Sequence, residues 1–344
     1  MDDFERFVAD VRARVDGLAA PWLGARMAEV RAQGADVEAA ASAVRSLVLR
    51  GGKRMRAVLL AAAYEACSGE AASPAVAQVG VAIELLQAYL LVHDDWMDGD
   101  DLRRGGPSVP AMMRERFQGR RSEFVSVLAG DLASAWSSRA LLDADVAPAV
   151  LVRASREFAR MAEDVVKGQI LDVAETAHDA GAVEAMHALK TASYTVRGPV
   201  VMGAALAGAP DPVVAGLIAF AEPLGVAFQL RDDLLGVFGD PRTTGKPAGR
   251  DLRLGKRTAV VVEAMRDVRA AAVVERVLGR PDASDGDVAA VIDHLAACGV
   301  RARIEERIAA RVRAARDALA GVPLAARGRR LLAAATGALT ERDR

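Results

Sequence analysis

Apolar side chains return every three or four residues along nearly the whole chain, and almost nowhere at every second one. Val81, Leu85, Ala88 and Val92 keep that step, as do Val288, Val291 and Leu295. At about 100° per residue this spacing lays one apolar stripe along a helix, whereas a half-buried strand needs strict alternation. Alanine is abundant and aromatic residues are only 4% of the chain, which favours helix over strand again. The runs are cut at Gly51-Gly52, Ser68-Gly69, Gly105-Gly106-Pro107, Gly208-Ala209-Pro210, Gly239-Asp240-Pro241 and Gly279-Arg280-Pro281. The pattern predicts an all-α fold of roughly ten or more helices. No long or low-complexity linker interrupts it, so a single domain over residues 1–344 is expected.

Bulk chemistry excludes several function classes. Apolar residues make up 52% of the chain, enough for a large core, and 45 basic residues face 46 acidic ones. That balance lacks the basic excess of a nucleic-acid binder. Cys67 and Cys298 stand far apart and in no metal-ligand spacing, so neither a disulfide framework nor a cysteine zinc site is expected. The N-terminus is acidic and amphipathic rather than basic-then-apolar. Glu84, Asp211 and Glu222 interrupt the longest apolar stretches before they reach bilayer length. A soluble, cytoplasmic protein is expected.

Two acidic clusters carry the chemistry. Asp94, Asp95 and Asp98 end one apolar helical run, and Asp232 and Asp233 end another. Asp94 and Asp98, four apart, share a helix face. Carboxylates crowded at a helix C-terminus repel one another and meet the negative end of the macrodipole, so they call for cations. Oxygen-only donors suit Mg²⁺, which keeps several waters and bridges one or two carboxylates to substrate phosphates. A solvated acidic loop accounts for either cluster alone, but poorly for the repeat. The spacing from Asp94 to Asp101 is not that of an EF-hand.

Basic groups flank these acids. Gly51-Gly52-Lys53-Arg54-Met55-Arg56 precedes an apolar run, and Lys53 and Arg56 are expected on one face of a helix start suited to anions. Arg103 and Arg104 are adjacent and so point in different directions, one for each of two phosphate groups, with simple compensation of Asp100 and Asp101 as the lesser alternative. Lys190-Thr191 forms a third basic set, and Lys246, Lys256 and Arg257 a fourth. Two diphosphates bring several negative charges, which Mg²⁺ and Lys/Arg together can neutralise.

In this order the motifs resemble those of the trans-isoprenyl diphosphate synthases, the polyprenyl synthetase family that includes geranylgeranyl and farnesyl diphosphate synthases. The resemblance rests on Gly-Gly-Lys-Arg-x-Arg at 51–56, Asp-Asp-x-x-Asp at 94–98, Arg-Arg-Gly at 103–105 and Gly-Gln-x-x-Asp at 168–172. Lys190-Thr191, Gln-x-x-Asp-Asp at 229–233 and Gly-Lys at 245–246 complete it. It implies the isoprenoid synthase fold, a helical bundle around a central cavity. It also implies condensation of an allylic diphosphate with isopentenyl diphosphate by Mg²⁺-assisted ionisation, about three ions per site, and a homodimer.

Residue by residue, the resemblance assigns Asp94, Asp95, Asp98, Asp232 and Asp233 to the metals. Arg103, Lys190 and Lys246 go to the allylic diphosphate, and Lys53, Arg56, Gln87 and Arg104 to isopentenyl diphosphate. Thr191 and Gln229 would lie near the developing carbocation, with Lys190 also in the catalytic set and Gln169 and Asp172 as supports. Tyr89, five residues before Asp94, is expected on nearly the same helix face and about 7–8 Å deeper, as the floor that sets chain length. Geranylgeranyl diphosphate is the expected product, with farnesyl diphosphate next.

One position departs from the pattern. Gly236 stands where many relatives carry a third aspartate, and Asp240 or water is the expected substitute. Gly236 also motivates a different reading, an inactive subunit of a heteromer. A terpene cyclase shares the first aspartate motif, but has no isopentenyl diphosphate for residues 51–56 to hold. The arginines between 301 and 316 read as a solvated helix face.

Overall fold

The computed structural model describes residues 1–174, 178–240 and 248–341. The first half runs α1 (Asp3–Arg31), α2 (Ala35–Leu49), α3 (Met55–Ser68) and α4 (Pro74–Asp98). A two-residue ribbon follows, β1 (Leu102–Arg103) against β2 (Gly106–Pro107), then α5 (Val109–Arg116), α6 (Arg120–Leu142) and α7 (Pro148–Val173). The second half runs α8 (Ala180–His187), a π-helix (Ala188–Arg197), α9 (Gly198–Leu206), α10 (Asp211–Phe238) and α11 (Arg250–Arg253). It closes with α12 (Ala259–Ala264), α13 (Val268–Val274), α14 (Asp285–Ala297), α15 (Val300–Ala320) and α16 (Ala326–Thr340). Among the described residues the ribbon is the only sheet.

The chain packs as two compact units, Met1–Glu157 with Met202–Ala209 and Ala325–Gly328, and Phe158–Val201 with Pro210–Leu324 and Arg329–Arg344. In the first, α4 packs against α6, α3 and α1, and Leu23, Leu47, Leu59, Leu60, Ile83 and Leu86 are buried. In the second, α10 packs against α15 and the π-helix, and Leu230, Leu234, Val237, Leu252, Val260, Ile304 and Ile308 close one core.

Helix α4 starts on Ser73, whose hydroxyl accepts from the Val76 N–H, with Pro74 in the first turn. It ends at Gly99 in the left-handed conformation. The polar exceptions inside it are satisfied: Gln78 donates to the Ala140 carbonyl at 3.0 Å, and Glu84 accepts from Arg54 at 2.7 Å. The interruptions at Glu84, Asp211 and Glu222 do not shorten the helices as the sequence suggested. Both α4 and α10 are long and apolar enough to cross a membrane by length and composition. In α4, 67% of that stretch is buried within the protein, which is how a core helix meets the same criterion.

Candidate functional site

The first acidic cluster occupies the last turn of α4, and its three members differ. Asp94 and Asp98 are partly exposed, while Asp95 is fully buried. The ribbon turns the chain back so that Arg103 reaches this end. Its Nε donates to Asp95 Oδ1 at 2.7 Å and its Nη2 contacts the same oxygen, Asp100 Oδ2 at 3.2 Å and Asp94 Oδ2 at 3.5 Å. Burial lowers the Arg103 pKa, but Asp95, Asp94 and Asp98 outweigh it and hold the group firmly charged. Arg103 therefore supplies part of the compensation that a carboxylate cluster at a helix C-terminus requires. Arg50, which sequence reasoning passed over, fixes the ribbon by donating to the Arg103 carbonyl at 3.0 Å and the Pro107 carbonyl at 2.7 Å. Gly106 leaves room for that guanidinium, since a Cβ there would lie 2.7 Å from Arg50 Cζ and would have to displace it.

Arg104 turns the other way, as two adjacent arginines should. It adopts a left-handed backbone (φ 52°), and its side chain lies 3.8 Å from where a Cβ on Gly52 would stand. Desolvation depresses its pKa, Glu84 opposes that shift, and Arg54, Arg56 and Arg103 add to it. A half-buried guanidinium that feels the charge of other arginines is suited to receive an anion. The expected shared face of Lys53 and Arg56 is not helical. Gly51, Gly52 and Arg54 have positive φ, and α3 begins only at Met55, so Lys53 precedes the helix. Arg54 itself is buried, paired with Glu84 at 2.7 Å and Asp16 at 2.8 Å, which makes it the anchor of this turn. Gln87 is half-buried on α4, two turns before Asp94.

Tyr89 does not share the Asp94 face. Five residues rotate a helix by about 140°, so its neighbour is His93, with ring centroids 4.8 Å apart in an edge-on arrangement. His93 is turned toward α6, its Nε2 3.0 Å from the Val127 carbonyl, over Gly130, where a Cβ would stand 2.4 Å from that nitrogen. Burial and then the Asp131 carboxylate raise the Tyr89 pKa.

In the second unit, Asp232 is partly exposed, while Asp233 is 3% exposed and held by the protein. Gln229 Nε2 donates to its Oδ1 at 2.9 Å, the Ala259 N–H donates to its Oδ2 at 2.7 Å, and His187 Nε2 lies 3.5 Å from Oδ2. Each aspartate pair is thus split: one member is partly exposed and the next is buried against protein donors. Only the exposed-first, buried-second order of a helix end against a core could have signalled this in the sequence. His187 carries no signal of its own.

Lys190 and Thr191 lie in the π-helix. Lys190 Nζ is 2.5 Å from Asp172 Oδ2, so the Gly-Gln-x-x-Asp motif and Lys190 meet, with Gln169 half-buried nearby in sequence on α7. Gly168 is what lets α7 approach, since a Cβ there would stand 2.2 Å from the Lys190 backbone nitrogen. Gly225 does the same for α10, with a Cβ 2.3 Å from Ala192 Cβ. Asp251 fills the space beside Gly236, its Oδ2 2.0 Å from where a Cβ would stand. Lys246 lies outside the described residues.

Asp94 and Asp98 in the first unit, and Asp232 in the second, are partly exposed carboxylates, hard-oxygen donors of the kind that suits Mg²⁺. Among the described residues no three His, Cys, Asp or Glu side chains close into a metal cage. That open arrangement fits an ion that keeps water and completes its shell on phosphate oxygens. The arginines from 301 to 316 are not merely solvated. Arg307 pairs with Glu184 at 2.6 Å, Arg311 contacts the other Glu184 oxygen, and Arg303 meets Glu263 at 2.6 Å.

Comparison with known proteins finds relatives along most of the chain. The polyprenyl synthetase family model matches residues 37–295. A geranylgeranyl diphosphate synthase of Mycobacterium tuberculosis is 36% identical over 277 residues, covering 78% of this chain and 76% of its own. A (2E,6E)-farnesyl diphosphate synthase of the same species is 37% identical over 257 residues, 72% of this chain and 67% of its own. A geranylgeranyl pyrophosphate synthase of Corynebacterium glutamicum, solved with isoprenyl diphosphate and magnesium, superposes with a TM-score of 0.89 at 33% identity, covering 99% of this chain and all of that one.

Proposed function

Because the chain belongs to the polyprenyl synthetase family, and so is a prenyltransferase of the all-α isoprenoid synthase fold, we propose that it condenses an allylic diphosphate with isopentenyl diphosphate to give geranylgeranyl diphosphate. The observation that carries this reading is the divergence of Arg103 and Arg104. One guanidinium stands at the acidic end of α4, and the other stands beside Gly52 among further arginines. A reaction joining two diphosphates needs two such anion stations.

Residue roles follow from the placement. Asp94 and Asp98 would hold two Mg²⁺ ions and Asp232 a third, while Asp95 and Asp233, turned to protein donors, orient the loaded aspartates beside them. Mg²⁺ bound there would neutralise charge on the departing diphosphate. Arg103, Lys190 and Lys246 grip the allylic diphosphate and stabilise the same charge as it develops. Lys53, Arg56, Arg104 and Gln87 hold isopentenyl diphosphate close enough for its alkene to attack C1 of the allylic group. Thr191 and Gln229 present dipoles near the cationic carbon. No His or Glu of these motifs is placed as a base, so the final proton leaves to the released diphosphate. The working form is a homodimer in a cytoplasmic, soluble setting, for which exposed Phe124, Leu128 and Leu142 on α6 offer an apolar contact.

The test is incubation of the purified chain with isopentenyl diphosphate, Mg²⁺ and each of dimethylallyl, geranyl and farnesyl diphosphate, followed by sizing of the products. Twenty-carbon product from all three is expected. A fifteen-carbon limit would reassign the product to that of the farnesyl synthase relatives, and turnover of an allylic diphosphate alone would indicate a cyclase. No condensation at all would support the inactive-subunit reading.

A further inference from the structure

We infer that Asp251 supplies the carboxylate that position 236 lacks, standing beside Asp232 as the second acidic side chain of that cluster. The inference rests on the reading of Asp232 as a magnesium–diphosphate ligand and deepens it.

Three observations lead here. Asp233 is 3% exposed and turned to protein donors, Gln229 at 2.9 Å on Oδ1 and the Ala259 N–H at 2.7 Å on Oδ2, so it is not the carboxylate presented beside Asp232. Residue 236 is one helical turn beyond Asp232 on the same face of α10, where Cβ atoms are about 5–6 Å apart, and it has no side chain. Into that volume comes Asp251, with Oδ2 2.0 Å and Cγ 2.9 Å from the position of a Cβ on residue 236. A side chain at 236 and the present Asp251 rotamer are mutually exclusive. The glycine is therefore the complement of Asp251 and not a plain loss.

The placement of Asp251 is built by its surroundings. Leu252 beside it is fully buried in the core that also holds Leu234 and Val288. Gly249, at φ +66°, approaches Val288 so closely that a Cβ would stand 2.3 Å from Cγ1. The Asp251 carbonyl accepts from the Lys256 N–H at 3.0 Å, closing the turn after α11. The backbone that presents this carboxylate is thus fixed from both sides, although it lies 15 residues beyond Gly236 in sequence. Asp240, the nearer acid in sequence, is exposed in the segment after α10.

The experiment measures, by calorimetry on the full chain, the Mg²⁺ concentration giving half-maximal binding of inorganic pyrophosphate, alongside the melting temperature of the ligand-free protein. Asp251→Asn, nearly isosteric, should raise that concentration about tenfold or more, the size of effect seen when a support of a metal ligand is lost. Gly236→Ala should do the same by displacing the carboxylate, even though alanine is the better helix former. Gly236→Asp combined with Asp251→Ala returns a carboxylate to the same volume and should restore wild-type Mg²⁺ dependence. Wild-type Mg²⁺ dependence in both Asp251→Asn and Gly236→Ala overturns the inference, provided Asp232→Asn abolishes binding. If Asp232→Asn also leaves binding unchanged, the reading of this cluster as a magnesium–diphosphate site fails and the inference falls with it.

Discussion

At the scale of single residues, the motifs were legible as chemistry but not as partners. The sequence distinguishes Lys53, Arg56 and the Arg103-Arg104 pair by their positions beside acid-rich helix ends, and the divergence of that pair follows from adjacency alone. It does not reveal that Arg54 is the buried member of its motif, because burial depends on Glu84, 30 residues away, and on Asp16, 38 residues away. Glu84 is 2% exposed, so removing its guanidinium leaves a charge in the core. Arg54→Met should cost about 3–5 kcal/mol in chemical denaturation, whereas Arg54→Met with Glu84→Met should recover much of that loss. A single variant within 1 kcal/mol of wild type would show the pair to be dispensable. Tyr89 is a second case in which residue spacing misled, since its ring faces His93 and not Asp94. If it nonetheless bounds the chain-elongation space, Tyr89→Ala should shift the sized products beyond twenty carbons. An unchanged product spectrum removes that role.

At the scale of elements, helix existence was readable throughout, because the three-to-four step of apolar residues survives in every long helix. Two features were not. The π-helix has no periodic signature, and its shape is set by close approach of α7 and α10 at Gly168 and Gly225. Gly225→Ala drives a methyl into Ala192, 2.3 Å from its Cβ, and should displace Lys190 and Thr191 with it. Its expected cost is about 1–3 kcal/mol in stability together with a drop in kcat. Ala192→Gly in the same chain should restore only part of both, since the Ala192 Cα would still stand 2.7 Å away. Full activity of Gly225→Ala would refute this account of the π-helix. The second feature is the clamp from α15 to α8. Burial raises the Glu184 pKa, but Arg307 and Arg311 outweigh it and hold the carboxyl below its ordinary value of 4.5. A depressed carboxyl contributes stability above the unfolded value and loses it as pH falls through the folded one. Glu184→Gln should therefore cost about 1 kcal/mol near neutral pH, given solvent screening of a partly exposed cluster, and the cost should shrink as pH falls below 4.5 and vanish once the lowered folded-state value is passed. A difference between variant and parent that persists there would point to packing instead.

For the whole molecule, the ion pairs of Arg103 and Lys190 make the two proposed ligands depend on each other. Arg103 is engaged by Asp94, Asp95 and Asp100 in one unit, and Lys190 by Asp172 in the other. On the proposed reading, diphosphate arriving alone at Arg103 must compete with Asp94, Asp95 and Asp100 for it, and diphosphate at Lys190 must compete with Asp172. Mg²⁺ arriving alone meets acids already partly neutralised by arginine. Together they exchange partners, metal with carboxylate and phosphate with guanidinium or ammonium, and each makes room for the other. Such coupling is reciprocal, so the gain appears whichever ligand is varied. A ligand at one hundred times its Kd raises stability by about 2.7 kcal/mol. Inorganic pyrophosphate with Mg²⁺ should then lift the melting temperature by roughly 4 °C, at about 1.4 °C per kcal/mol for a chain of 344 residues. Either alone should move it by no more than about 1 °C on the same scale. Chelation with EDTA should abolish both the shift and product formation, and added Mg²⁺ should return them together. Shifts from the two ligands that simply add would show that the ion pairs seen here are not what the ligands exchange.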